Sequence, residues 1–194
     1  MIGRLCCLTA ACLLVAVTAR AQGPGPQDPV GLALALQRSY ANLKTNLTQA
    51  AAKMPDADYA SKPSTMAEVR TYGQLFGHVA NAQYNSCSAV KGVPNPNMGT
   101  NLEQKTTKAE FVKALADSFA FCDDAFASLT DANAAEFRPQ GRGQTARAAI
   151  LANMLSHSNE MYGTAGVYLR AKNIVPPSTE NAAAARAGGP GRGN

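Results

Sequence analysis

The stretch Ile150 to Ser178, ILANMLSHSNEMYGTAGVYLRAKNIVPPS, limits this chain's folding options more than any other. Apolar residues recur at Ile150, Met154, Ala165 and Tyr168, and beside them at Leu151, Leu155, Tyr162 and Leu169. Spacings of three, four and seven place adjoining stripes along one helix. His157 and Met161 lie four apart on that face, which predicts that both point into a core. Arg170 and Lys172 suit the negative end of the helix dipole, and Pro176-Pro177 forbids continuation.

Three further stretches carry single apolar stripes. A first helix is expected from about residue 29 to 53, with Leu36, Tyr40, Leu43, Leu47 and Met54 on one face. Thr65-Met66-Ala67-Glu68 reads as a capping box opening a second helix, whose inner face is Val69, Tyr72, Leu75, Phe76, Val79 and Val90. His78 borders that face. Thr107-Lys108-Ala109-Glu110 is another capping box, and Phe111, Leu115, Phe119, Cys122, Phe126 and Leu129 follow it inward. The segments 55–63, 92–104 and 131–144 read as loops. A 6% aromatic content without Trp also favours helices over sheet. The expected fold is all-α, a four-helix bundle over residues 29–179.

The ends read differently. Residues 1–21 combine Arg4, an apolar run from Leu5 to Val17 and Ala19-Arg20-Ala21, the pattern of a cleaved signal peptide. Cys12 after Thr9-Ala10-Ala11 resembles a lipoprotein cleavage site, but apolar residues continue beyond it. Residues 22–28 are a Pro/Gly linker, and residues 180–194 are expected to be a disordered tail. The protein is therefore expected to be exported, periplasmic or secreted, with no membrane span after cleavage. Four of the five net positive charges reside on Arg4, Arg20, Arg186 and Arg192. The near-neutral core gives no footprint for nucleic acid.

Of five cysteines, Cys6, Cys7 and Cys12 precede the cleavage point, leaving Cys87 and Cys122. An even pair in an oxidising compartment predicts a disulfide. Cys87 is near the end of the second helix, whereas Cys122 is roughly 22 Å past the start of the third. Only parallel neighbours bring them together, and residues 92–106 can stretch to about 50 Å to cross back. The second and third helices are therefore expected to be parallel through a long crossover. The alternative is two independent buried thiols.

The second helix reads Arg70-Thr71-Tyr72-Gly73-Gln74-Leu75-Phe76-Gly77-His78-Val79-Ala80. The fourth carries His157-Ser158-Asn159-Glu160-Met161-Tyr162-Gly163, then Tyr168-Leu169-Arg170 and Ile174-Val175-Pro176-Pro177-Ser178. Together these resemble the DinB-like (DinB/YfiT) superfamily of bacterial four-helix bundles, over about residues 30–179. The resemblance implies a divalent metal, zinc or nickel, held by one histidine of the second helix and two of the fourth. It also implies thiol-dependent transfer or hydrolysis as activity classes. His78 and His157 match two ligand positions, and the third falls on Met161.

Three readings of those residues stand open. His78 and His157 are buried, hydrogen-bonded histidines with Met161 as core filler. Or a metal binds through the two histidines with Glu160 or water. Or the thioether makes a copper site. The corresponding functions are metal-assisted hydrolysis or group transfer at a weakened divalent site, and a metal-free binding or structural bundle. The partners expected are a small-molecule ligand in the cleft between the second and fourth helices, and a second copy of the chain in a homodimer. Asp123-Asp124 reads as a paired carboxylate or an exposed acidic face, and Tyr162 and Arg170 as pocket lining or packing and a C-terminal cation. Asn46-Leu47-Thr48 matches a glycosylation sequon but lies mid-helix.

Overall fold

The structure is a computed structural model that describes residues 29–187. The predicted signal peptide and linker, residues 1–28, and the last residues of the tail, 188–194, lie outside the described residues. The chain is mostly helical: α1 (Leu32–Lys53), α2 (Tyr72–Lys91), α3 (Lys108–Ala127), a hairpin of β1 (Phe137–Gln140) and β2 (Gly143–Ala146), α4 (Arg147–Ala171) and α5 (Pro177–Ala187). Among the described residues no helix is long and apolar enough to cross a membrane.

The apolar stripes become one core. Leu43 and Leu47 of α1, Phe76 and Val79 of α2, Phe119 and Phe126 of α3, and Ile150, Leu151 and Leu169 of α4 are all buried in it. Each large side chain so removed from water contributes roughly 1.5–3 kcal/mol. Tyr40 stacks on Phe126 with ring centroids 3.9 Å apart, and its hydroxyl donates to the Phe119 carbonyl at 2.9 Å. Extensive packing joins α2 to α3 and α4, and α1 to α4 and α3, whereas α1 and α2 barely touch.

Contacts between α2 and α3 pair residue numbers that rise together. Gly73 faces the Phe111 ring, Ser118 donates to Gln83, Cys87 is disulfide-bonded to Cys122, and Lys91 meets Asp124. The expected disulfide is therefore present, with Cα atoms 5.3 Å apart, inside the range an unstrained bridge spans.

Three expectations require correction. The second helix does not begin at Thr65. Residues 67–68 form only a turn, and Thr71 caps α2 by accepting from the Gln74 amide while the Gln74 side chain accepts from the Thr71 amide. Both stretches match the Ser/Thr-x-x-Glu/Gln pattern, and the one directly preceding the buried Tyr72, Leu75, Phe76 and Val79 caps the helix. The segment 131–144 is not all loop: Phe137 pairs with Ala146 and Gln140 with Gly143 around a two-residue turn. Gly141 supplies the positive φ of +58° that this turn needs. Residues 180–187 of the supposed tail are helical, because Pro177 suits a first helical turn and the following alanines have the highest helix propensity. α5 is tied to α1 by Lys53 to Glu180 and by the Asn181 amide, which donates to Asn46 and Gln49.

Candidate functional site

α2 and α4 present His78 and His157 to each other, with ring centroids 4.8 Å apart and planes at 66°. Both are half-buried, whereas Met161, one turn beyond His157, is 9% exposed and belongs to the core. His157 thus sits at the rim of the core and not inside it as the stripe alone implied. Its position between two packed helices pushes its pKa down, first through burial, then through the nearby charges of His78 and Arg70, with Glu160 opposing.

A residue absent from the sequence-based site completes the group. Glu103 lies on a single 3-10 turn, Leu102–Gln104, inside the long break between α2 and α3. Its Oε1 is 2.7 Å from His78 Nδ1, and its Oε2 accepts from Arg70 Nε at 2.8 Å. Burial pushes this carboxyl up, but the hydrogen bonds from Arg70 and His78 outweigh it and hold the pKa below the usual range. An ionised carboxylate only accepts, so His78 Nδ1 carries the proton in this contact and Nε2 is turned away from Glu103.

Local sequence places Glu103. Gly77 allows the 3-10 turn to lie on α2: a Cβ there would be 2.5 Å from the Leu102 carbonyl oxygen and 2.9 Å from the Glu103 Cα, both backbone atoms. Asn81 then accepts from the Leu102 amide at 3.2 Å, and Asn101 accepts from the Glu103 amide at 3.0 Å. Arg70 is fixed from the other side, its carbonyl accepting from Tyr168 at 2.6 Å. The signal available in the sequence was Gly77 beside His78, which marks a close backbone approach.

The remaining candidates make structural contacts, and Arg170 also lines a surface pocket with Asn173, Ile174, Val175, Pro176 and Thr179. Asp123 accepts from Tyr40 at 2.9 Å and pairs with Lys44 at 2.7 Å, while Asp124 is 83% exposed, so the two do not form a paired-carboxylate site. The Tyr162 hydroxyl accepts from the Ser178 amide at 2.8 Å and anchors the start of α5. Arg170 donates to the Gly166 carbonyl and to Thr179. Asn46 is buried against α5 and donates to Asn42, which leaves no accessible sequon amide.

Residues 40–165 match the DinB superfamily, and the chain belongs to it. A DinB-like protein from Bacillus cereus ATCC 10987 is similar in structure at a TM-score of 0.59, with 12% identity, over 73% of this chain and 93% of that one. Identity that low establishes the fold alone. No curated protein matches.

Members of the superfamily commonly bind a metal. A zinc or nickel site of the implied kind needs a third hard or borderline ligand beside His78 and His157. The residue at that place is Met161, whose thioether is neutral and soft. Glu103 is engaged by His78 and Arg70, and Glu160 is exposed. Among the described residues no three His, Cys, Asp or Glu side chains converge as a metal group. This donor set does not fit the divalent ion.

Proposed function

We propose that this protein is an exported DinB-superfamily bundle whose His78–His157 cleft works as a binding site without the divalent zinc or nickel ion. Within that reading the four long helices form the bundle, with α2 and α3 parallel through the crossover that delivers Glu103. The reading is carried by Met161 occupying the third ligand position as a buried side chain. A group transfer or hydrolysis that needs a metal-activated water is then not the activity, because two imidazoles cannot preorganise such an ion. The Cys87–Cys122 bond supports export, since such bonds persist in oxidising compartments. The bond and the core account for stability without a metal. The test is zinc or nickel titration by calorimetry on protein purified without a nickel column. Weak or no binding supports the reading, and tight one-to-one binding removes it.

One observation favours a second reading, metal-dependent hydrolysis or transfer at a weakened site. Histidines that ligate metals usually give their other ring N–H to a carboxylate, as His78 does to Glu103. In that reading Nε2 of His78, a nitrogen of His157 and Glu160 or water hold the ion. Glu160→Gln would weaken zinc binding there and leave it unchanged under the first reading.

A further inference from the structure

We propose that His78, His157 and Met161 form a site for a soft, singly charged metal cation, copper(I). The inference rests on the reading that the divalent ion is not held here. It follows from what remains at the site once that ion is excluded: two neutral imidazoles and one thioether, the donor chemistry that selects copper(I) over zinc or nickel. The rings of His78 and His157 meet edge to face across the α2–α4 interface, centroids 4.8 Å apart. Met161 follows His157 by one helical turn, which puts both residues on one face of α4, the face from which His157 meets His78. Met161 is 9% exposed, so an ion bound by its sulfur would be shielded from water on the core side.

Charge points the same way. Glu103 is bonded to His78 Nδ1 and to Arg70, so its negative charge is neutralised by the guanidinium and is not available as a direct ligand. A dication entering among neutral donors beside Arg70 would remain uncompensated, whereas a monocation carries half that charge. The same carboxylate orients His78 and leaves Nε2 as its ligating atom. His78 and His157 come from different helices, so binding bridges α2 to α4 without altering either. As simple core filler, Met161 would be replaceable by Leu without effect on any ligand.

The test is transfer of copper(I) from bicinchoninate, under argon with ascorbate, to the purified chain with its free thiols alkylated first. Ascorbate leaves the Cys87–Cys122 bond intact, and alkylation removes Cys6, Cys7 and Cys12 as competing ligands in any chain that retains residues 1–21. The expected result is one copper(I) per chain and a sulfur scatterer in the copper X-ray absorption spectrum. Met161→Leu and His78→Ala should each lower affinity by about tenfold or more, taking the cost of losing an outer-shell partner as a lower bound. Unchanged circular dichroism shows that both variants fold. No uptake, a nitrogen-only shell, or equal affinity in Met161→Leu overturns the assignment. Tight zinc binding by the native chain would remove the underlying reading as well, whereas weak zinc with no copper uptake removes the copper site alone.

Discussion

Breaking the Cys87–Cys122 bond should lower stability by about 4 kcal/mol. The bond closes a loop with a sequence separation of 35 and joins α2 to α3 where both sulfur positions are fully buried. The chain-entropy relation for a loop of that size gives an unfolded-state entropy loss of about 13 cal/mol/K, or about 4 kcal/mol at 25 °C. For a domain of this length, about 4 kcal/mol corresponds to a Tm change of roughly 8–16 °C. The assay compares urea and thermal unfolding of the oxidised protein, the protein reduced by a phosphine, and the Cys87→Ala/Cys122→Ala double variant. Reduction isolates the loop constraint, and the double variant adds the loss of two buried sulfur atoms. The midpoint should fall in the reduced protein and fall further in the double variant, with the native helical signal retained in both. A reduced protein whose Tm lies within about 2 °C of the oxidised form would refute the reasoning. The bridge would then impose no constraint on the unfolded chain beyond what residual structure already imposes.

Gly77→Ala should cost roughly 1–3 kcal/mol, because its Cβ would meet the Leu102 carbonyl and the Glu103 Cα, which are backbone and cannot turn aside. A fall in the urea midpoint, with loss of the His78 Nδ1 hydrogen-bond signature by NMR, checks it. Glu103→Gln should flatten the acid side of the stability curve. Glu103 is held below the usual carboxylate range, so its contribution is complete above the unfolded pKa of about 4.3 and is lost as pH falls through the lower folded value. Urea midpoints of both proteins across that acid window show it, and parallel curves would contradict it. His157 should titrate below about 6.5 by NMR, and His78→Ala should move it back upward by removing a neighbouring charge. Its depressed pKa means the unfolded chain binds the proton first, so stability falls as pH drops below about 6.5 and levels off below the folded value.

Period and parity made much of this legible beforehand. The four stripes appear because residues three and four apart share a helix face, and Phe119, Phe126, Leu151 and Leu169 are buried where that rule puts them. The α3 cap was legible because Thr107 and Glu110 satisfy each other's free amides directly ahead of the buried Phe111. The α2 start did not, since Thr65 and Thr71 each head a matching pattern and only tertiary burial of Tyr72 decides between them. The hairpin escaped because Phe-Arg-Pro-Gln lacks alternation and leaves Phe137 64% exposed. Glu103 was illegible for a related reason. It sits on one 3-10 turn in a polar break, 25 residues from the histidine it orients, where no periodicity links the two. α5 shows the limit of composition, since an alanine-rich stretch reads equally as low complexity and as helix.

The proposal that Met161 stands where a third metal ligand would be is tested most directly by calorimetric zinc titration of the native chain beside Met161→His. The native protein should bind zinc weakly, because water in the third place adds no preorganised ligand to His78 and His157. Met161→His should produce a one-to-one site, and adding His78→Ala should abolish it with helix content unchanged. Tight stoichiometric zinc binding by the native protein, or no gain in Met161→His, would contradict the assignment of residue 161 as the position at which this chain departs from the metal-binding members of its superfamily.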